Sequence, residues 1–143
     1  MSKSDKKKIV AIMKKIAMLS YFATCDGPKP VIRPVSPIVE NDLSIWITTF
    51  SNSKKVKQIR KNPNICLAFV EYPNGNKSAI VFGKAKIIND YKQKIRIWNI
   101  APFNLKEYFS DGPNSKDYCL LRIISDRIEW REGWEKTRTY KPR

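Results

Sequence analysis

Histidine is absent from the 143 residues. No imidazole is available as metal ligand, general base or proton shuttle, so His-dependent triads, His-ligated zinc hydrolases and H-E-x-x-H chemistry are excluded. Cysteine is sparse: Cys25, Cys66 and Cys119 are far apart, and no C-x-x-C pair occurs. Structural zinc and thioredoxin-like redox chemistry lose support. Each cysteine stands in an apolar stretch, which reads as a buried, reduced thiol in a reducing compartment. Long hydrophobic runs are also missing. Nothing approaches the roughly 20 residues of a membrane span. The start, MSKSDKKKIVAIMKKIAML, is basic but has no long apolar core and no small-residue cleavage site. The expectation is a soluble cytoplasmic protein. Acidic residues are few, 13 Asp and Glu against 28 Lys and Arg, for a net charge of +15. What remains is ordinary for a globular fold, with 42% hydrophobic and 29% charged residues. A chain of this length builds one core, so residues 1–143 read as a single domain.

The periodicity changes along the chain. Over Asp5–Leu19, Ile9, Ile12, Met13 and Ile16 recur at spacings of three and four, with the lysines largely off that stripe. This predicts an amphipathic N-terminal helix within residues 1–19, with Ser4 as a cap, covering part of a sheet. From Tyr21 the period falls to two. Strands are expected at Tyr21–Cys25, Val31–Val39 and Leu43–Phe50, with turns at Asp26–Pro30 and Glu40–Asp42. Pro34 and Pro37 place the second strand at an edge, at a bulge or against a ligand. Ser51–Ser53 opens a helix over Lys54–Lys61, which Asn62-Pro63 closes. Ile65–Tyr72 and Ser78–Ile88 form a hairpin about Asn74-Gly75, and Gly83 marks a bulge or close approach. Tyr91–Ile100 reads as helix and Leu105–Phe109 as a helical turn. Tyr118–Ser125 and Arg127–Glu132 read as a closing hairpin over Asp126. The basic tail 133–143 reads as partly mobile. Hairpin-paired strands predict a mainly β fold: an antiparallel split β-barrel, Greek-key in type, of about six to seven strands with flanking α-helices.

The chemistry concentrates between Arg33 and Pro63. An arginine lies on one strand, Thr48-Thr49 near the end of the next, and Ser53, Lys54 and Lys55 at a helix start. Free backbone N–H groups and the helix dipole favour an anion there. Ser53 can donate a hydroxyl, the lysines supply point charges, and Arg33 can make a two-pronged contact. This constellation suits a phosphomonoester. The same residues also fit a plain capping serine and a solvated lysine face.

Asp26-Gly27, Arg33-Pro34-Val35, Ile45–Thr49, Ser53-Lys54-Lys55-Val56 and Asn62-Pro63 occur in one order, and together they resemble the pyridoxamine 5′-phosphate oxidase-like family. These are FMN-binding split barrels, and the general-stress-protein-like subgroup is nearest. The likeness is strongest over about residues 20 to 72. It implies a homodimeric FMN-binding flavoprotein, an oxidoreductase with the cofactor at the subunit interface and no catalytic side chain assigned. It implies that Arg33, Ser53, Lys54 and Lys55 hold the phosphate and that the main chain of Arg33, Pro34, Val35 and Ser36 runs along the ring. Thr48 and Thr49 match the family's aromatic-Thr pair, with Thr48 in place of the aromatic. Trp130 matches a tryptophan that touches FMN. Trp98, Phe103, Tyr108 and Phe109 offer apolar interface surface. Ser78 stands near a glutamine contact of the oxidases. Ile38 replaces a substrate-binding lysine, and Lys136-Thr137-Arg138 lacks the histidine of the oxidases' Arg-Leu-His motif. These departures argue against pyridoxamine phosphate as substrate.

Two alternatives come from other classes. The +15 charge with interleaved aromatics fits a basic nucleic-acid-binding barrel without enzymatic activity, although no RNP-type motif occurs. A deazaflavin could use the same basic region, whereas haem would need Cys, Tyr or Met as axial ligand.

Overall fold

A computed structural model of the chain describes residues 3–142. The elements run α1 (Lys3–Ile16), β1 (Ser20–Asp26), β2 (Lys29–Val35), β3 (Ile38–Val39), β4 (Ile45–Phe50), α2 (Lys54–Lys61), β5 (Asn64–Val70), β6 (Ser78–Ile88), α3 (Tyr91–Ile100), β7 (Tyr118–Arg131) and β8 (Arg138–Tyr140). The architecture is mainly β, a single antiparallel sheet with strand order β2-β1-β5-β6-β7-β4-β3, and β8 pairs with β7. The two ends of this path, β2 and β3, are separated in sequence by Ser36 and Pro37 alone. Such a short link forces the sheet to curl until its ends nearly meet. It closes no ladder between them, which makes a split barrel.

The strands alternate as a curled sheet requires. In β4, Ile45 and Ile47 face the barrel interior, where they join Phe22, Leu67, Phe69, Val81, Leu121, Ile128 and Trp130. Trp46 faces the other way, into a second cluster with Ile97, Leu105, Phe109, Tyr118 and Leu120. β4 is thus covered on both faces, which explains its near-continuous apolar run. Helix α1 adds Ile9, Val10, Ile12 and Met13 to the main core. Helix α2 inserts Val56 and Ile59 and packs against β1.

Several boundaries differ from expectation. Helix α1 ends at Ile16 rather than Leu19, because Ala17 and Met18 turn the chain into β1; Ser4 lies inside the helix, not before it. The stretch Val31–Val39 is two strands, broken where the chain crosses from one sheet end to the other at Ser36-Pro37. The β4 strand begins at Ile45 because Leu43 has a left-handed φ of 73°. The Leu43 N–H closes that turn on the Glu40 carbonyl at 2.9 Å. The expected hairpin over Asp126 is one continuous strand. Ser125 pairs with Gly83 and Arg127 with Phe82, which leaves Asp126 as the extra residue of a bulge. The tail holds β8, whose Arg138 and Thr139 pair with Trp130 and Glu129. Cys119 is buried, but Cys25 and Cys66 are half-exposed. Cys66 lies opposite Ala23, on the outer face of the sheet.

No helix among the described residues is long and apolar enough to cross a membrane.

Candidate anion-binding cleft

Register places an arginine inside the barrel. Phe22 pairs with Arg33, Thr24 with Val31 and Ser20 with Val35. Ser20, Phe22 and Thr24 are the buried positions of β1. Residues directly opposite share a face, so Val31, Arg33 and Val35 face inward while Ile32 and Pro34 face out. The β2 strand has a ladder neighbour on one side only, so it accommodates Pro30 and Pro34. An inward arginine needs partners. Arg33 donates through Nη1 to the Phe22 carbonyl at 3.1 Å and to Thr24 Oγ1 at 2.8 Å, and through Nη2 to Gln58 Oε1 at 3.0 Å. Its guanidinium carbon lies 5.9 Å from the Phe22 ring centroid. All these partners are neutral, and burial lowers the guanidinium pKa from its ordinary value.

Lys55 meets the same end of the barrel from helix α2. Ser53 caps that helix, its hydroxyl oxygen accepting from the Val56 N–H at 3.4 Å. The hydroxyl proton is left to donate elsewhere. The Lys55 ammonium donates to Thr49 Oγ1 at 2.7 Å. Thr49 is an inward residue of β4 opposite Cys119. Burial lowers the Lys55 pKa first, and the Arg33 charge lowers it further. Among the described residues no carboxylate pairs with either cation. Two half-buried positive charges therefore stand together with only neutral oxygens around them, an arrangement that favours a bound anion.

Beside them opens a cleft of about 300 Å³. Pro34, Val35 and Ser36 form one wall, and Thr48 and Thr49 the floor, with Lys55 at the end and Phe50 at the rim. Phe103, Leu105, Tyr108 and Phe109 form the facing wall. Phe50 and Phe109 pack at a tilt of 51° with centroids 4.9 Å apart, and Phe109 also touches Trp98 and Tyr118. Leu105 and Phe109 tie that wall into the second apolar cluster, whereas Tyr108 is 59% exposed. The Ser36 hydroxyl is tied to the Met18 carbonyl at 2.6 Å.

The structure thus brings together Pro34, Val35, Ser36, Thr48, Thr49 and Lys55 on the cleft, with Arg33 and Ser53 next to them. Lys54 is exposed and lines another groove with Lys57, Gln58 and Lys61, which shares no lining residue with the cleft. Trp130 does not join the cleft. It is 1% exposed in the main core, and Arg138 lies over its ring at 4.0 Å. Thr24 and Gln58 escaped sequence reading. Their signal was faint: a hydroxyl at an inward β1 position, and one amide in a helix where Lys54, Lys55, Lys57, Arg60 and Lys61 leave only Val56, Gln58 and Ile59 uncharged.

Fold and cleft together define a split barrel with a cationic pocket at one end. Residues 4–139 match the family described as pyridoxamine 5′-phosphate oxidase like, and the chain belongs to that family. General stress protein 26 of Bacillus subtilis (strain 168) is 30% identical over 118 residues, 81% of each chain. A Clostridium acetobutylicum protein related to general stress protein 26 superposes with a TM-score of 0.81 at 19% identity, covering 99% of this chain and 96% of that one. A heme binding protein from Mycobacterium smegmatis superposes at 0.78 with 13% identity, covering 99% of this chain and 59% of that one. At such identities the structural likenesses speak for the fold alone.

Proposed function

We propose that this chain is an FMN-binding flavoprotein, acting as an oxidoreductase on a small-molecule electron donor and acceptor. The observation that carries this reading is the pair Arg33 and Lys55, half-buried and uncompensated beside the cleft. A phosphate dianion there would replace the missing counter-charge. Arg33, Lys55 and the Ser53 hydroxyl would hold it, with Lys54 adding charge from the exposed side. The cleft walls suit a flat ring: Pro34–Ser36 from the edge strand on one side, and Leu105 and the rings of Phe103 and Phe109 on the other. When bound, the flavin supplies the electron-transfer chemistry. The chain binds and orients it, and its apolar wall excludes water.

Pyridoxamine phosphate is not the substrate we propose. Ile38 is buried at 5% exposure where the oxidases carry a lysine, and Lys136-Thr137-Arg138 offers no imidazole. The absence of histidine also weighs against haem. The cleft is open, and Tyr108, Phe50 and Met18 on its rim are exposed. A homodimer with the cofactor near the contact would cover them. We place the protein in the cytoplasm.

Purified protein is expected to be yellow, to release FMN on denaturation, and to oxidise NADH or NADPH in the loaded form. Sedimentation should give twice the 16.6 kDa chain mass. A colourless protein that ignores added FMN but binds nucleic acid with a steep salt dependence would overturn the reading in favour of a basic binding barrel. Release of a deazaflavin instead would move it to the other cofactor.

A further inference from the structure

We infer that Thr24 and Gln58 form a neutral cage that sets the strength of the phosphate grip, with Gln58 a positioning residue for Arg33 rather than a ligand. This rests on the cofactor reading above. The cage is a closed ring. The Thr24 hydroxyl donates to Gln58 Oε1 at 2.6 Å. Arg33 Nη1 donates to Thr24 Oγ1 and Nη2 to Gln58 Oε1. A second Nη1 bond goes to the Phe22 carbonyl. One strand neighbour and one helix residue thereby fix a side chain that would otherwise lose much rotamer freedom on binding an anion.

The ring also joins three elements. Thr24 is on β1, Arg33 on β2 and Gln58 on α2, one turn after Lys55. The helix that presents Lys55 is thus locked to the strand that presents Arg33, and the two cations are held in register before an anion arrives. Of the guanidinium's five donors, the bonds above take both hydrogens on Nη1 and one on Nη2. The Nε–H and one Nη2 hydrogen remain for a ligand.

The neutrality of the cage is the informative part. Glu at position 58, isosteric with the native amide, would hold Arg33 at least as firmly, because charge-assisted bonds are the stronger ones. It would also supply the counter-charge that the phosphate is needed for. An amide holds the guanidinium and leaves its charge unspent. Cage geometry and cage charge can therefore be separated by substitution.

The test uses the full chain stripped of cofactor, with FMN and riboflavin as probes. The two differ only in the phosphate. Affinities come from flavin fluorescence quenching, alongside thermal melting. In Gln58→Glu, FMN affinity should fall about tenfold or more, because the carboxylate offsets the Arg33 charge that the phosphate would otherwise meet. Riboflavin affinity and the melting midpoint should be unchanged or the midpoint raised. Gln58→Leu should weaken FMN selectively and Thr24→Val likewise. Wild-type FMN affinity in Gln58→Glu would overturn the inference, as would equal losses for both probes, which would make the cage merely structural. A wild-type protein with no preference for FMN over riboflavin would overturn the phosphate reading itself, and the cage with it.

Discussion

Lys55 gives its ammonium to the Thr49 hydroxyl at 2.7 Å, so a residue near the end of one strand fixes a lysine in the first turn of the next helix. Only the three-residue link Ser51–Ser53 separates the two elements, and the bond aims the charge at the cleft rather than at solvent. Lys55→Met keeps most of the aliphatic bulk and removes the charge. FMN affinity should drop about 10- to 100-fold, equivalent to about 1.5–3 kcal/mol for a bond to a charged group. Riboflavin affinity should stay as it was. Equilibrium titration of both ligands checks this; matching losses for the two would remove Lys55 from the phosphate site.

The same lysine makes a pH prediction. Burial first, and the Arg33 charge second, lower its pKa from 10.5 in the folded protein. Below the lowered value both folded and unfolded states carry the proton, and the cost of the buried charge is fully present. Between that value and 10.5 the unfolded state binds more protons, so stability rises with pH. Cofactor-free wild type should gain stability relative to Lys55→Met across this window in urea melts. FMN should act in reverse, since its phosphate favours the charged lysine. Its affinity should decline as pH climbs through the same window, and the decline should be absent in Lys55→Met.

Gly83 and Asp126 define a second kind of constraint. A Cβ on Gly83 would lie 1.9 Å from the Ile124 carbonyl oxygen, and that backbone is held by the bulge at Asp126. Gly83→Ala should cost about 3 kcal/mol or more, at the upper end of overpacking effects. Deleting Asp126 should be the milder change. It removes only the unpaired residue, keeps the Ser125–Gly83 and Arg127–Phe82 pairs, and leaves Ile128 and Trp130 on the core face. Denaturant midpoints measure the first, and soluble yield with far-ultraviolet circular dichroism the second.

Local chemistry carried much of the fold. The period-two runs, the edge-strand prolines, Asn-Gly in the β5–β6 turn and the Asn62-Pro63 stop each act within a few residues, and each marks its element in the sequence. The errors came where distant partners decide. Ser125-Asp126-Arg127 is polar enough to resemble a turn, yet β6 runs beside it on both flanks and keeps β7 continuous. The Val31–Val39 run looks like one strand because nothing local reveals that Ser36-Pro37 bridges opposite ends of the sheet. The β8 strand has little apolar character of its own, and Arg138 and Tyr140 gain their place by pairing with β7. At the cleft, the charged members stood out by type and order. Thr24 and Gln58 did not, because an ordinary threonine and glutamine acquire a role only through register with Arg33. Trp130 shows the converse: the side chain conspicuous in sequence is packed into the core.

Helix α3 is tied to the sheet by a further polar cluster, which gives the last prediction. Glu40 Oε1 accepts from the Trp46 indole N–H at 2.7 Å, and Arg96 donates to both carboxylate oxygens at 2.7 and 3.0 Å. Arg96 and Arg122 also lie over the Trp46 ring, 5.6 and 5.3 Å from its centroid. The Arg96 bond holds the Glu40 carboxyl below its ordinary 4.5, and the Trp46 bond adds to this against the cost of burial. A lowered carboxyl pKa contributes stability above 4.5 that is lost as pH falls through the folded value. Glu40→Ala leaves the buried indole N–H unpaired and should cost about 1–3 kcal/mol near neutrality. Glu40→Gln keeps an acceptor for Trp46 and should cost less, while losing the acid-side dependence. Urea melts from neutrality down to acid pH would separate the two variants; a wild type whose stability is flat below 4.5 relative to Glu40→Gln would show that the carboxylate charge does not hold α3 in place.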